Sequence, residues 1–489
     1  MADQKEQNFM SHFLIIGGGT LLNMFIGLFT TPIITRIVDP NEYGQLAIFN
    51  MYTSIAVMVL CIGLDQALVR FYYEREDLEY KRALLKICFL LPFCLSIFVA
   101  IVVIFLSVFK VVSFEFTTPI MILLAIYVVL ALWNRIAILL LRITYQSKKF
   151  SACNVLQKCI YVITVLILIS IFKENYFFIL TFSTVFACFV PTVYATYSTR
   201  KLWKFKNVQN LKNRKEIILF GIPFILSMGL TTLFQAVDKI SLNHYCTYYE
   251  VGVYSSAMSL INIFAIIQST FNSLWGPMQV EHYVKNPEDK SFIEMGNKLI
   301  TIVMFFIGFS LIFVKDIFVI LLGEKYREAA YIMPFLIFNP IMYTISETTC
   351  AGIGVSKKSY INIVISLIAC ITNVVGNTVL VPVLGGRGAA ISTGISYIVF
   401  FICRTVFSNK YYYVNYKLWK IALLTFVAIG YALYNTFFTF GLISVVGYFV
   451  CIFFLVILYK DGIKEGIDIG KTQLLQIFKS KNCRKNEVQ

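Results

Sequence analysis

The sequence has little charge: Asp, Glu, Lys and Arg make up only 14% of its 489 residues, where an ordinary soluble domain carries about 25%. A chain this long cannot cover itself with a water-facing surface from that composition. Most of its lateral surface must meet lipid, where helices satisfy their own backbone hydrogen bonds and open sheet edges do not occur. Histidine is scarce, and His12, His244 and His282 lie far apart, so neither a zinc set nor a general base is signalled. Twelve cysteines are present but scattered, most of them in apolar runs such as those around Cys61, Cys88, Cys159 and Cys451, with no CxxC or Cys/His cluster. They read as small apolar side chains. Acidic residues are fewer than basic ones, 26 against 42, for a net charge of +16. The basic residues fall between apolar runs and not on one polar domain, which argues against nucleic acid as a partner.

Apolar length is what the chain has in quantity: 58% of residues are hydrophobic and 16% aromatic. A bilayer core needs about 20 mainly apolar residues per helix. Stretches 10–36, 44–66, 83–109, 117–141, 152–172, 176–198, 217–243, 252–275, 297–320, 328–350, 359–381, 388–407, 418–437 and 440–459 meet that need. The expected fold is an all-α polytopic membrane protein of about 14 transmembrane helices. The polar start, Met1 to Asn8, leads into a long apolar run without a small-residue cleavage site, so the first helix reads as retained. Placing both termini in the cytoplasm leaves few basic residues in the opposite gaps: Arg36, Lys110, Lys173, Lys315, Lys325, Arg327 and Arg387. The positive-inside rule therefore predicts cytoplasmic termini and an even number of crossings. The basic segment 200–215 and the tail residues Lys479, Lys481, Arg484 and Lys485 read as topology signals on solvated faces.

Two short resemblances recur at nearly one offset. Glu42-Tyr43-Gly44 matches Glu250-Val251-Gly252, and Ser147-Lys148-Lys149-Phe150 matches Ser356-Lys357-Lys358-Ser359. Both fall at equivalent points six spans apart, which predicts two six-helix bundles in parallel repeat, 1–210 and 211–415. Two additional helices (416–460) and a basic cytoplasmic tail (461–489) follow. Six is even, so the halves enter the membrane in the same sense, related by an axis along its normal. Segment 199–216 is then the cytoplasmic connector, and rocking of one bundle against the other would give alternating access.

The stretch Thr31-Pro32-Ile33-Ile34-Thr35-Arg36, then Glu42-Tyr43-Gly44, then Gly63-Leu64-Asp65-Gln66-Ala67-Leu68-Val69-Arg70-Phe71-Tyr72, resembles the start of the polysaccharide transporter family. Its members are Wzx-type flippases for O-antigen, capsule or exopolysaccharide units, in a superfamily shared with multidrug exporters and the lipid II flippase. Phe220-Gly221-Ile222-Pro223, Asp238-Lys239 and Val251-Gly252-Val253-Tyr254-Ser255 resemble that family's second-half opening. The resemblance implies an undecaprenyl-diphosphate oligosaccharide as cargo, moved from the inner to the outer leaflet of the bacterial cytoplasmic (inner) membrane. It also implies a polysaccharide polymerase and a chain-length regulator as partners. By likeness to the lipid II flippase branch it further implies a cation site at Asp238, Asn373, Asn377 and Thr393, coupled to sodium or to protons. An amide at Asn377 stands where an acid is expected there.

Ionisable groups deep in a span cost about 2.5–3.5 kcal/mol on insertion scales and so face a cavity or a partner. Those singled out are Arg135 and Lys158 in spans 4 and 5, Asp238 and Lys239 in span 7, and Glu347 in span 10. Arg135 and Arg142 share nearly one helix face, and with Lys158 they would line a cationic cavity fit for a diphosphate. Arg142 also fits a snorkelling role at the interface. Arg36, Arg70 and Lys239 are further candidates for cargo contact. Prolines such as Pro223 and Pro340 predict kinks. Two other readings stay open. A multidrug or other small-solute exporter of the same fold predicts an acidic cavity. A membrane enzyme on the same carrier would need paired acids and a large external loop, and neither is evident.

Overall fold

The computed structural model describes residues 25–205, 213–262, 264–356 and 360–465, with residues 18, 19, 22, 23, 211 and 358 besides. Lys206, Lys212, the start of the first span and most of the basic tail lie outside the described residues. Helices account for the architecture, and no strand occurs among the described residues. In chain order they begin α1 (Phe25–Thr35), α2 (Pro40–Cys61), α3 (Leu64–Tyr72), α4 (Leu78–Val108), α5 (Thr118–Ile143), α6 (Ser147–Ile171), α7 (Tyr176–Ser198), α8 (Arg214–Tyr245) and α9 (Tyr248–Ile261). Then follow α10 (Phe264–Lys285), α11 (Ser291–Phe313), α12 (Lys315–Ile320), α13 (Ala329–Leu336), α14 (Phe338–Thr349), α15 (Ala351–Val355), α16 (Tyr360–Leu384), α17 (Gly386–Asn409), α18 (Leu418–Phe437) and α19 (Leu442–Leu458).

Among the described residues 11 helical stretches are long and apolar enough to cross a membrane, and α1 and α19 are shorter apolar helices. This is a multi-pass membrane protein. Two spans differ from the continuous helices predicted. The eighth, expected over 252–275, is divided: α9 ends at Ile261, and α10 starts at Phe264 and runs on to Lys285. The tenth consists of α13 and α14, which meet at Ile337. Pro340 sits in the first turn of α14, where a missing N–H costs no intrahelical bond. Pro223, by contrast, lies inside an unbroken α8.

Local signals set the helix starts. Asp39 precedes α2, its backbone N–H donates to Glu42 Oε2 at 3.2 Å, and Pro40 occupies the first turn, the arrangement of a capping box worth about 1 kcal/mol. Asp77 accepts from the N–H groups of Glu79 and Tyr80 at the start of α4. Between α2 and α3 the chain turns through Ile62 and Gly63, both at positive φ. A side chain on Gly63 would meet the Gly221 carbonyl oxygen at 2.2 Å, so this turn requires glycine twice over.

Contacts gather the chain into two compact units. The first holds the chain up to Ile266 with Leu322–Tyr326 and Asn377–Gly386, and the second holds the rest. In the first unit α2 packs against α5, α8 and α9, and α5 against α4 and α7. The connector after α7 is tied down in its first part. Leu202 is buried with Leu84, Leu85 and Ile217, Trp203 packs edge-on against Phe89, and Arg82 Nε donates to the Lys201 carbonyl at 2.8 Å. In the second unit α11 lies against α14 and α19, and α13 against α18. Of the α13–α14 window 83% is buried, against 11% for α6. The former pair is thus the centre of its unit, and α6 is the least enclosed of the 11 stretches.

Candidate functional site

The turn at Ile62 and Gly63 sets Asp65 in the first turn of α3, where it is buried. There it meets Arg135, about eight residues before the end of α5. Arg135 donates through Nε at 3.0 Å and Nη2 at 2.6 Å, both to Asp65 Oδ2, which also accepts from Gln66 Nε2 at 3.1 Å. Asp65 Oδ1 is buried without a hydrogen-bond partner. Arg135 therefore carries its own counter-ion, a relation the sequence reading lacked because the two residues lie 70 positions apart. A carboxylate that close compensates most of the guanidinium charge.

Arg135 lines a cavity of about 490 Å³ in the first unit, together with Asn134, Ser227, Thr231, Thr232 and Gln235. Lys158 lines a second cavity of about 380 Å³ with Asn23, Asn154, Gln157, Thr184 and Tyr161. Asn50 and Tyr127 contribute to both, so the two spaces adjoin. Among the described residues no carboxylate lines either one. Lys158 is half-buried, and no described carboxylate pairs with it. Amides and hydroxyls dominate the walls, groups that donate and accept at once. That is the chemistry of carbohydrate recognition, and Arg135 and Lys158 add sites for an anion.

The other candidates stand elsewhere. Arg36, Arg70 and Arg142 are exposed. Arg70 pairs with Glu74 at 3.2 Å, and none of the three lines either cavity. Lys239 is half-buried on α8 beside buried Asp238. Asp238 accepts from the Tyr254 hydroxyl at 2.5 Å and from Asn377 Nδ2 at 2.9 Å, all within the first unit. In the second unit Asn373 Nδ2 donates to Thr393 Oγ1 at 3.0 Å. Carboxylate, amide and hydroxyl oxygens suit a hard cation. Both Asp238 oxygens already meet protein donors, so a cation would replace one of them.

Sequence reasoning missed Arg404, although it falls within the predicted twelfth span. It donates to Glu347 Oε1 at 2.8 Å and to Ser346 Oγ at 2.9 Å, and its guanidinium lies over the Tyr343 and Phe400 rings. Glu347 therefore has a half-buried partner in the second unit. A tally of every basic residue inside the predicted span limits would have found it.

A family model described as "Polysaccharide biosynthesis protein" matches residues 9–281. The chain is 24% identical to the capsular polysaccharide biosynthesis protein CapF of Staphylococcus aureus over 208 residues, 42% of this chain and 50% of that protein. It thus spans half the length of that relative. Its structure is similar to that of the lipid II flippase MurJ in an inward closed conformation, at TM-score 0.68 and 16% identity, covering 92% of this chain and 100% of that one. It is also similar to an inward-facing multidrug resistance MATE family transporter of the MOP superfamily, at TM-score 0.59 and 13% identity, covering 80% and 94%. At these identities the structural likeness shows the fold alone.

Proposed function

The chain belongs to the polysaccharide biosynthesis protein family, and from that premise we propose that it is a flippase for a lipid-linked oligosaccharide. Its cargo is an undecaprenyl-diphosphate repeat unit, carried by alternating access from the inner to the outer leaflet of the bacterial cytoplasmic membrane for O-antigen, capsule or exopolysaccharide assembly. The observation that carries this reading is the pair of adjoining cavities, walled by amides and hydroxyls and holding Arg135 and Lys158 without a lining carboxylate among the described residues. Sugars ask for the former groups and an anionic cargo for the latter. The same absence of lining acids weighs against an exporter of cationic drugs. The likeness to CapF, a capsular polysaccharide biosynthesis protein, and to MurJ, a lipid II flippase, points the same way.

The protein acts as a transporter and not as an enzyme. Its termini lie in the cytoplasm by the positive-inside rule, and a polymerase and chain-length regulator take the unit on the far side. Asp238 is the proposed coupling group, with sodium or a proton exchanging against its Tyr254 and Asn377 donors. A bound sodium would supply countercharge to that carboxylate, and Asn377 would turn its amide oxygen inward. The deciding experiment is deletion of the gene. Surface polysaccharide is expected to stop while complete lipid-linked units accumulate inside; failure to assemble the unit at all would point to an enzyme instead.

A further inference from the structure

The cations stand at different depths. Lys158 is about eleven residues, or about 16 Å of helix rise, from the α6 start. Arg135 is about 12 Å from the α5 end, and exposed Arg142 lies at that end. The α5 end and the α6 start flank one short turn, which the positive-inside reading puts on the cytoplasmic side. In a lipid-linked glycan the phosphates join tail to sugar, so they stay near the headgroup level while the glycan reaches deeper. Arg135 stands nearer that turn and keeps Nη1 free of Asp65.

The chemistry around Lys158 separates the two parts of the cargo further. In the same cavity Asn23 Oδ1 is buried and has no hydrogen-bond partner. It asks for a donor, and a diphosphate offers only acceptors. A sugar carrying a carboxylate beside a hydroxyl satisfies both groups: the ammonium meets the carboxylate and Asn23 accepts from the hydroxyl. A neutral sugar would leave the Lys158 charge without a counter-ion at depth, which is costly.

We infer that the Lys158 cavity is a selectivity site for an acidic sugar of the repeat unit, such as a uronic acid, and that it does not hold the carrier's diphosphate. This rests on the flippase reading given above. Lys158 and Asn23 then set which glycan is accepted, and Arg135 serves every cargo on the same carrier.

The test uses the full-length protein in proteoliposomes with two probes: an undecaprenyl-diphosphate oligosaccharide containing one uronic acid, and the same compound with its carboxyl reduced to the alcohol. The readout is the ratio of their initial transport rates. Wild type is expected to favour the acidic probe by about tenfold, the scale of one charge-assisted hydrogen bond. Lys158→Gln should bring that ratio close to one, and Lys158→Arg should keep most of it. A ratio unchanged in Lys158→Gln would show that Lys158 reads the diphosphate common to both probes. Equal rates in wild type would likewise overturn the inference. If wild type moves neither probe, the flippase reading itself falls.

Discussion

Gly44 and Gly252 each lie against the opening turn of the other's helix: a Cβ on Gly44 would stand 1.9 Å from the Tyr248 carbonyl oxygen, and one on Gly252 would stand 2.0 Å from that of Pro40. About 208 positions separate Pro40 from Tyr248 and also Gly44 from Gly252, the offset of the two matching tripeptides. Such reciprocity, in which each residue meets the equivalent of its partner, is what a two-fold relation generates. It extends beyond the glycines. Asn243 Nδ2 donates to Glu115 at 2.7 Å, and Gly323 N–H donates to Thr35 Oγ1 at 3.3 Å, with the same separation relating Thr35 to Asn243 and Glu115 to Gly323.

A methyl group at either glycine has backbone in its way, not a side chain that can swing aside. Gly44→Ala or Gly252→Ala should therefore force α2 and α9 apart at a cost of about 1–3 kcal/mol. Thermal unfolding of the purified protein is expected to fall by several degrees for each. The double variant should lose less than the sum, because one separation relieves both clashes.

The Asp65–Arg135 pair is partly buried, with side-chain exposures of 5% and 35%. Removing one partner leaves the other charge uncompensated, so Asp65→Asn should lower stability by about 1–3 kcal/mol after discounting for the Arg135 exposure. Arg135→Gln should cost a similar amount, and the double variant should recover part of the loss. Transport separates the roles: the double variant is expected to stay folded and still move cargo several-fold more slowly. Full transport in that variant would remove Arg135 from the cargo path.

Much of this was legible in the sequence because a bilayer leaves so few options. Apolar length gave the spans, and Glu-Tyr-Gly against Glu-Val-Gly gave the recurrence whose contacts now appear at Gly44 and Gly252. Lys158 and Asp238 announced themselves as charges inside apolar runs. Pairing was the part that could not be read. Asp65 sits about 70 positions from Arg135 and Glu347 about 57 from Arg404, and which helices adjoin is fixed by packing, not by period. Asn23 gave no signal either, since an amide in an apolar run is common between helices. Only the cavity wall shows its oxygen without a partner.

Asp238 offers a test of coupling that does not depend on which glycan is carried. If sodium exchanges against the Tyr254 and Asn377 donors, replacing external sodium with potassium should slow transport about tenfold, on the scale of losing one charged ligand. Asp238→Asn should transport slowly in both salts, with no difference between them. Proton coupling predicts the opposite pattern for wild type: no response to the sodium swap and a response to collapse of the pH gradient.

The last prediction concerns the end of the first unit where the reciprocal contacts cluster. Glu115 accepts from the hydroxyls of Tyr52 and Tyr248 at 2.5 and 2.7 Å and from Asn243. Lys325 is bound to Asp39, and the Tyr326 hydroxyl donates to the Val38 carbonyl at 3.0 Å. On the proposed orientation this end faces outward, so these bonds would hold the outer side shut and would part on release. Cys246, half-buried here with its thiol on the Val381 carbonyl, is a native reporter whose pKa burial pushes up, which slows its alkylation. Glu115→Ala should raise its labelling by a membrane-impermeant maleimide on intact cells several-fold, with Cys246→Ser as the control. Asp39 holds the Lys325 pKa above its ordinary value, so the ammonium persists at neutral pH and loses its proton as pH rises through the raised pKa. Salt is the better lever on an exposed pair: raising it toward 1 M should increase Cys246 labelling in wild type and have little further effect in Lys325→Met. Labelling only in inverted vesicles would reverse the assigned orientation.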